Sequence, residues 1–172
     1  MILIMIDIIE QLIYENSAQK VSDLLIQCVT KHNCSYAEVY RYSHFDNLME
    51  GFLEINAAKE LRKPIDRINT LLSMPLLYLR LRECEPLFLN AHMLATSIPP
   101  QYRLPATTKF VAALPIQKEQ IPIGLLAVHF DFELSEQQKL ELTRFAEYAS
   151  NQIIIRGKQI ATTDQFSRRE LD

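Results

Sequence analysis

"FVAALPIQKEQIPIGLLAVHFDF", Phe110 to Phe132, is the stretch on which the fold turns. Two apolar runs, "KFVAALPIQ" and "IPIGLLAVHFDF", read as strands, and "KEQ" is short enough to join them in a tight hairpin. A strand with one wet face alternates apolar and polar residues. Val111 to Ile116 and Ile121 to Phe130 barely do. Strands of that kind are covered on both faces, so the rest of the chain must supply two covers.

One cover is expected from the two ends. Ser135, with Gln138 three residues on, marks the start of a helix running to about Arg156. Leu142, Phe145, Ala146, Ala149 and Ile153 form one apolar stripe on it, while Tyr148, Ile154 and Ile155 lie off that stripe. A surface helix needs a single stripe, so a second points to burial against another helix. Upstream, Ile6 to about Lys31 reads as helix, broken near Asn16 and Ser17, with Ser17 a cap and Val21, Leu24, Leu25, Cys28 and Val29 repeating at three and four. Between these ends, "SYAEVYRYS" (Ser35 to Ser43) alternates as a strand, "HFDN" turns, and Leu48 to Ile55 returns.

The second cover falls to the middle of the chain, roughly Pro64 to Pro105. "NAAKELRKPIDR" reads as a polar connection, and its basic residues as a solvated face. In "SMPLLYLRLRECEP" Ser73 is read as a cap, Pro75 fits the first helical turn and Pro86 follows the stop. Leu87 to Asn90 is a short strand, and "ATSIPPQYRLPATT" reads as loop. A sheet lidded by short helices and loops tends to enclose a pocket.

Composition narrows the function classes. The chain has 172 residues, 48% hydrophobic and 23% charged, which suits one globular domain. A net charge of -3 argues against a dedicated nucleic-acid surface. Three scattered glycines leave no phosphate-cradling loop, and Cys28, Cys34 and Cys84 form no disulfide framework, which points to a reducing, cytoplasmic setting. The apolar start "MILIMIDIIEQLIY" has no positive leading region, and Asp7, Glu10 and Gln11 interrupt it, so neither a signal peptide nor a membrane span is expected.

"FVAALPIQKEQIPIGLLAVHFDFELSEQQKLELTRFAEYASNQI" resembles the C-terminal half of a GAF domain. It carries the family's V-P-L-like step as Leu114-Pro115-Ile116, its G-x-L as Gly124-Leu125-Leu126, and its acidic turn into a long helix. "SMPLLYLRLRECEPLFLNA" is similar to the family's central helix and following strand, with Glu83-Cys84 where the family usually has Thr-Gly. The resemblance covers about residues 17 to 155. It implies an α+β, PAS-like plan: an antiparallel sheet of five or six strands, terminal helices on one face, and a pocket covered by short helices and loops on the other. Such domains are chiefly sensory and dimerising modules, and the fold does not name the ligand.

The expected chamber lining is Tyr40, Leu77, Tyr78, Leu81, Phe88, Asn90, Met93, Tyr102 and His129, with His129 the polar residue best placed to meet a ligand. No catalytic residue is assigned, because no nucleophile stands beside a base in any motif. No metal or cofactor is expected: Cys28, His32 and Cys34 match no zinc spacing, and no cysteine precedes a histidine as covalent bilin attachment usually requires. Ile4, Ile8, Leu12, Tyr148 and Ile155 are the expected contacts of a homodimer formed through the terminal helices.

"FSRRELD", Phe166 to Asp172, resembles the opening of a LuxR-type helix-turn-helix domain, with Ser167 as cap and Arg169-Glu170 as the matching pair. Residues 1–16 are thus read as a helical dimerisation extension and 17–157 as the sensory domain. Residues 158–172 are read as a linker plus the first turn of an absent DNA-binding domain. The expected function is ligand sensing and dimerisation for a transcription regulator that touches DNA only through that absent domain. The alternatives are a dimeric scaffold with a filled pocket, or an enzyme like the GAF-type free methionine sulfoxide reductases.

Overall fold

The computed structural model describes residues 18–44, 46–64, 68–99 and 104–163. Helix α1 spans Ala18–His32, followed by strands β1 Tyr36–Ser43, β2 Leu48–Asn56, β3 Leu61–Arg62 and β4 Ile68–Thr70. A 3₁₀ turn, Leu71–Ser73, leads into α2 Pro75–Arg82, then β5 Leu87–Asn90 and α3 Ala91–Ser97. The hairpin β6 Phe110–Lys118 and β7 Ile121–Phe130 precedes the long helix α4, Glu136–Thr163.

The strands form one antiparallel sheet in the order β3-β2-β1-β7-β6-β5, with β4 also paired to β2. The apolar hairpin therefore lies at the centre, which is why its residues carry no polar alternation. Both of its faces are covered. On one, alternate residues of the sheet such as Ala37, Val39, Leu114, Leu126 and Val128 pack with Leu24, Leu25 and Cys28 of α1 and with Leu142, Phe145, Ala149 and Ile153 of α4. On the other, Tyr40, Tyr42, Val111, Ala113, Leu125 and Ala127 pack with Leu71, Met74, Leu77, Leu81 and Leu94 from the 3₁₀ turn, α2 and α3.

Helix α4 begins where the sequence places it. Ser135 N–H donates to Gln138 Oε1 at 2.8 Å, and Gln138 N–H donates to Ser135 Oγ at 3.2 Å, a reciprocal capping box. It runs on to Thr163, past the expected stop near Arg156. Three readings of the middle segment need correction. The "NAAKELRKPIDR" connection contains β3, which pairs through Leu61 and Arg62 with β2. Ser73 does not cap α2: the cap position is Met74, with no side-chain hydrogen bond, and Pro75 alone marks the start. The "ATSIPPQYRLPATT" loop begins inside α3, because Asn90 accepts the Met93 N–H at 2.9 Å and opens that helix.

Ile4, Ile8, Leu12, Ser17, Tyr102 and the "FSRRELD" segment lie outside the described residues, as does the side chain of Ile155. No helix among the described residues is long and apolar enough to cross a membrane.

Candidate functional site

The face covered by α2 and α3 is the side of the sheet on which the sequence places a chamber, and it carries a packed apolar cluster. Strand alternation decides which side chains reach it, since successive residues point to opposite faces. On β1 these are Tyr36, Glu38, Tyr40 and Tyr42, and on β7 they are Leu125, Ala127 and His129. Tyr36 stands directly opposite His129, Glu38 opposite Ala127, and Ala127 opposite Ala113. The floor is therefore small-sided in the middle, where two alanines face each other. A cleft of about 330 Å³ lies between the two covering helices, lined by Ser73, Pro75 and Leu76 on one side and Ala95, Ile98 and Pro99 of the α3 end on the other, with no residue of the sheet floor in its lining. That volume is at the lower end of the range for small-molecule sites.

One end of the floor is polar. Glu38 and His129 are 5% and 2% exposed, and His129 Nε2 lies 3.8 Å from Glu38 Oε1. The Tyr36 hydroxyl is 3.2 Å from Glu38 Oε2 and also bonds the Glu54 carboxylate. The Tyr36 ring and the imidazole meet nearly at right angles, centroids 5.1 Å apart. Among the described residues neither ring nitrogen of His129 has a hydrogen-bond partner. Leaving a buried polar atom unpaired costs about 1–3 kcal/mol, so two such atoms on one ring call for an explanation such as a bound water or ligand.

The arrangement has the groups that binding a small polar molecule needs. An imidazole offers a donor and an acceptor, a phenol can serve as either, and a carboxylate accepts. Together they can grip a small polar group. A nucleophile–base pair would require a thiol or hydroxyl hydrogen-bonded to the imidazole, and His129 has no such bond among the described residues.

The remaining lining candidates divide. Tyr40, Leu77 and Leu81 belong to the chamber-side cluster, with Met93 and Tyr78 packed against it. Tyr78 contributes only its ring there, for its hydroxyl lies 3.4 Å from Arg82 Nη1 on the exposed side. Two placements are overturned. Phe88 packs on the helix-side cluster, 6.3 Å from the Phe110 ring, because Leu87 and Leu89 take the chamber face of β5 and alternation turns Phe88 away. Asn90 is exposed and spends its side chain as the cap of α3. Tyr36, Glu38 and Glu54 are not among the expected lining residues. The alternation of "SYAEVYRYS" already put Tyr36 and Glu38 on the face of Tyr40, but acidic residues in a strand are read as solvent-facing by default.

The cysteines sit elsewhere. Cys28 and Cys34 are buried in the helix-side core. Burial pushes the Cys34 thiol up to about 12, and the Cys28 thiol is also raised, by burial first and then by its neighbour Cys34. Cys84 is partly exposed at the end of α2, with φ at +56°, a backbone region where glycine is at ease and cysteine is not. Among the described residues no group of three or more His, Cys, Asp or Glu side chains could hold a metal ion.

No protein-family model matches the chain, and no curated protein does. Solved structures do match it. The blue-light absorbing form of the Thermosynechococcus elongatus PixJ GAF domain is similar at 15% identity, covering 86% of this chain and 88% of its own, with a TM-score of 0.63. The GAF domain from Acinetobacter phosphoenolpyruvate-protein phosphotransferase is 14% identical over 88% of this chain and 93% of its own, TM-score 0.60. A type II free methionine-R-sulfoxide reductase from Thermoplasma acidophilum is 13% identical over 82% and 94%, TM-score 0.62. Identities this low establish the fold and nothing finer. The chain has the GAF-like fold, a mixed helix and sheet architecture shared by sensory domains and by reductases.

Proposed function

We propose that this chain is a sensory and dimerising GAF-type domain whose chamber binds a small polar ligand. The observation that carries the reading is His129: an imidazole 2% exposed on the chamber side of the sheet, with both nitrogens unpaired among the described residues. A side-chain-filled scaffold has no use for a buried ring whose nitrogens find no hydrogen-bond partner among the described residues. A ligand group that met it would repay the desolvation. Thermal shift against a metabolite panel tests this. At least one compound is expected to raise the Tm of the wild-type chain and not that of His129→Leu; a panel that stabilises neither favours the scaffold.

The proposal includes a homodimer through the terminal helices. Tyr148 is 45% exposed on α4, as is Leu140, and the 1–16 stretch, apolar at its start, precedes in the sequence α1, which itself packs against α4. Light scattering in the micromolar range is expected to report a dimer, and a monomer would overturn this part. The output is proposed to be a LuxR-type helix-turn-helix domain, on the "FSRRELD" resemblance. The reading frame beyond Asp172 tests it: continuation into that motif is expected, and an immediate stop codon would refute it. An enzyme of the reductase kind would turn over free methionine sulfoxide with a thiol reductant. We expect no turnover, because Cys28 and Cys34 are buried on the helix side of the sheet and Cys84 is bonded to a backbone carbonyl.

A further inference from the structure

The tip of the β6–β7 hairpin touches both the lid of the chamber and the long helix α4, and its backbone is strained. Helix α2, which sends Leu77 and Leu81 into the chamber-side cluster, ends in a left-handed turn. Cys84 N–H donates to the Leu81 carbonyl at 3.1 Å, and Glu85 N–H donates to that of Arg80 at 3.0 Å, with Cys84 at φ +56° between them. From there the Cys84 thiol donates to the Gln120 carbonyl at 3.2 Å. Gln120 and its neighbour Glu119 form the two-residue hairpin turn, and both are left-handed, at φ +65° and +51°. A turn of that type favours asparagine and glycine. Neither residue is present.

Three residues down the same strand the ladder slips. The register shifts between Ile116 and Gln117, and Gln117 is set opposite Pro122, which has no N–H. The Gln117 N–H donates out of the ladder, to the buried Ser150 Oγ of α4 at 3.2 Å. On the other strand, His44 Nε2 from the β1–β2 turn lies 2.6 Å from the Pro122 carbonyl oxygen. The hairpin tip is thus held from outside the ladder by Cys84, just past α2, at Gln120, by α4 at Gln117, and by His44 at Pro122. Strain held in place by outside contacts is a store that a change in either contact can release.

We infer that the hairpin tip is a relay, in which Cys84 and Ser150 report the position of the chamber lid to helix α4 through the Glu119–Gln120 turn. This rests on the sensory reading for its purpose, and it requires the two clamps to be energetically coupled although they bond to different residues. Coupling of this kind is reciprocal.

The test uses the full chain without ligand, so its failure and that of the metabolite panel are separate outcomes. Amide exchange is followed residue by residue in Cys84→Ala, and labelling of the Cys84 thiol is timed in Ser150→Ala. In the first variant the Gln117 amide is expected to exchange about fivefold faster or more, and in the second the thiol is expected to react faster by a similar factor. Cys84→Ser keeps a donor at the same place and should restore Gln117 protection towards the wild-type value. The relay is overturned if Gln117 protection in Cys84→Ala is unchanged while Ser150→Ala raises its exchange. It is equally overturned if Val39 and the other β1 amides accelerate by the same factor as Gln117, since that is general loosening.

Discussion

Replacing Glu119–Gln120 by Asn–Gly is expected to stabilise the domain. Both residues hold left-handed φ values, +51° and +65°, in the turn closed by Lys118 and Ile121. For a non-glycine residue this region costs about 1–2 kcal/mol. Glycine escapes that cost but forfeits roughly 0.5–1 kcal/mol to the freer unfolded chain. Gln120→Gly therefore nets about 0.5–1 kcal/mol in favour of the fold. Asparagine tolerates the region better than glutamate, so Glu119→Asn adds a few tenths. The pair together is worth about 1 kcal/mol, or roughly 2–4 °C in Tm for a chain of this length. Urea denaturation checks it, with the midpoint rising and the slope unchanged. The opposite perturbation, Glu119→Pro, forces φ to about −65° where +51° is needed and is expected to cost on the order of 2 kcal/mol or more. An Asn–Gly variant that is neutral or less stable, at unchanged slope, would refute the claim that the turn is strained.

Other outcomes follow from burial. Leu81, fully buried on the chamber side, should lose about 2–5 kcal/mol as Leu81→Ala; a loss too small to resolve in urea would mean that the lid does not pack there. His32 is half-buried against the Phe145 ring and is held below its ordinary value of 6.5 by desolvation first, with Lys31 acting the same way and Glu141 opposing. The unfolded chain therefore takes the proton more readily than the fold. Its contribution to stability is full above 6.5 and is lost as pH falls from there through the lower folded value. His32→Gln should flatten that decline in acid-range melting curves, and an unchanged slope with pH would contradict the assignment. Among the thiols, only Cys84 is expected to react with a disulfide reagent at mildly alkaline pH, with Cys28 and Cys34 responding after urea; three thiols titrating in the native protein would contradict their burial.

The legible parts of the fold are those set by local chemistry. The hairpin, the short strand Leu87–Asn90 and the Ser135–Gln138 capping box each depend on residues within a few positions of one another, and all three stand where the sequence puts them. Short elements in the middle segment were harder. β3 and β4 have two and three residues and exist only through pairing with β2, so no periodicity announces them. The Asn90 cap was readable as a helix signal, but its position at the end of a strand made it look like a chamber residue. Phe88 shows the same limit: its aromatic bulk suggests a pocket wall, while alternation with Leu87 and Leu89 assigns it to the opposite face.

By itself the sequence determined that a doubly covered apolar hairpin sits at the heart of an α+β domain, because hydrophobic periodicity is a local property of the chain. It also singled out His129, as a polar residue within an otherwise apolar strand. Only the tertiary structure decided what surrounds that ring. Glu38 and Tyr36 reach it from β1, some ninety residues away in the chain, through the register that sets Tyr36 opposite His129. The same holds for the hairpin tip, where Cys84 and Ser150 converge from two helices that share no motif. Burial and hydrogen-bond satisfaction belong to the packed chain, and residue order alone does not carry them.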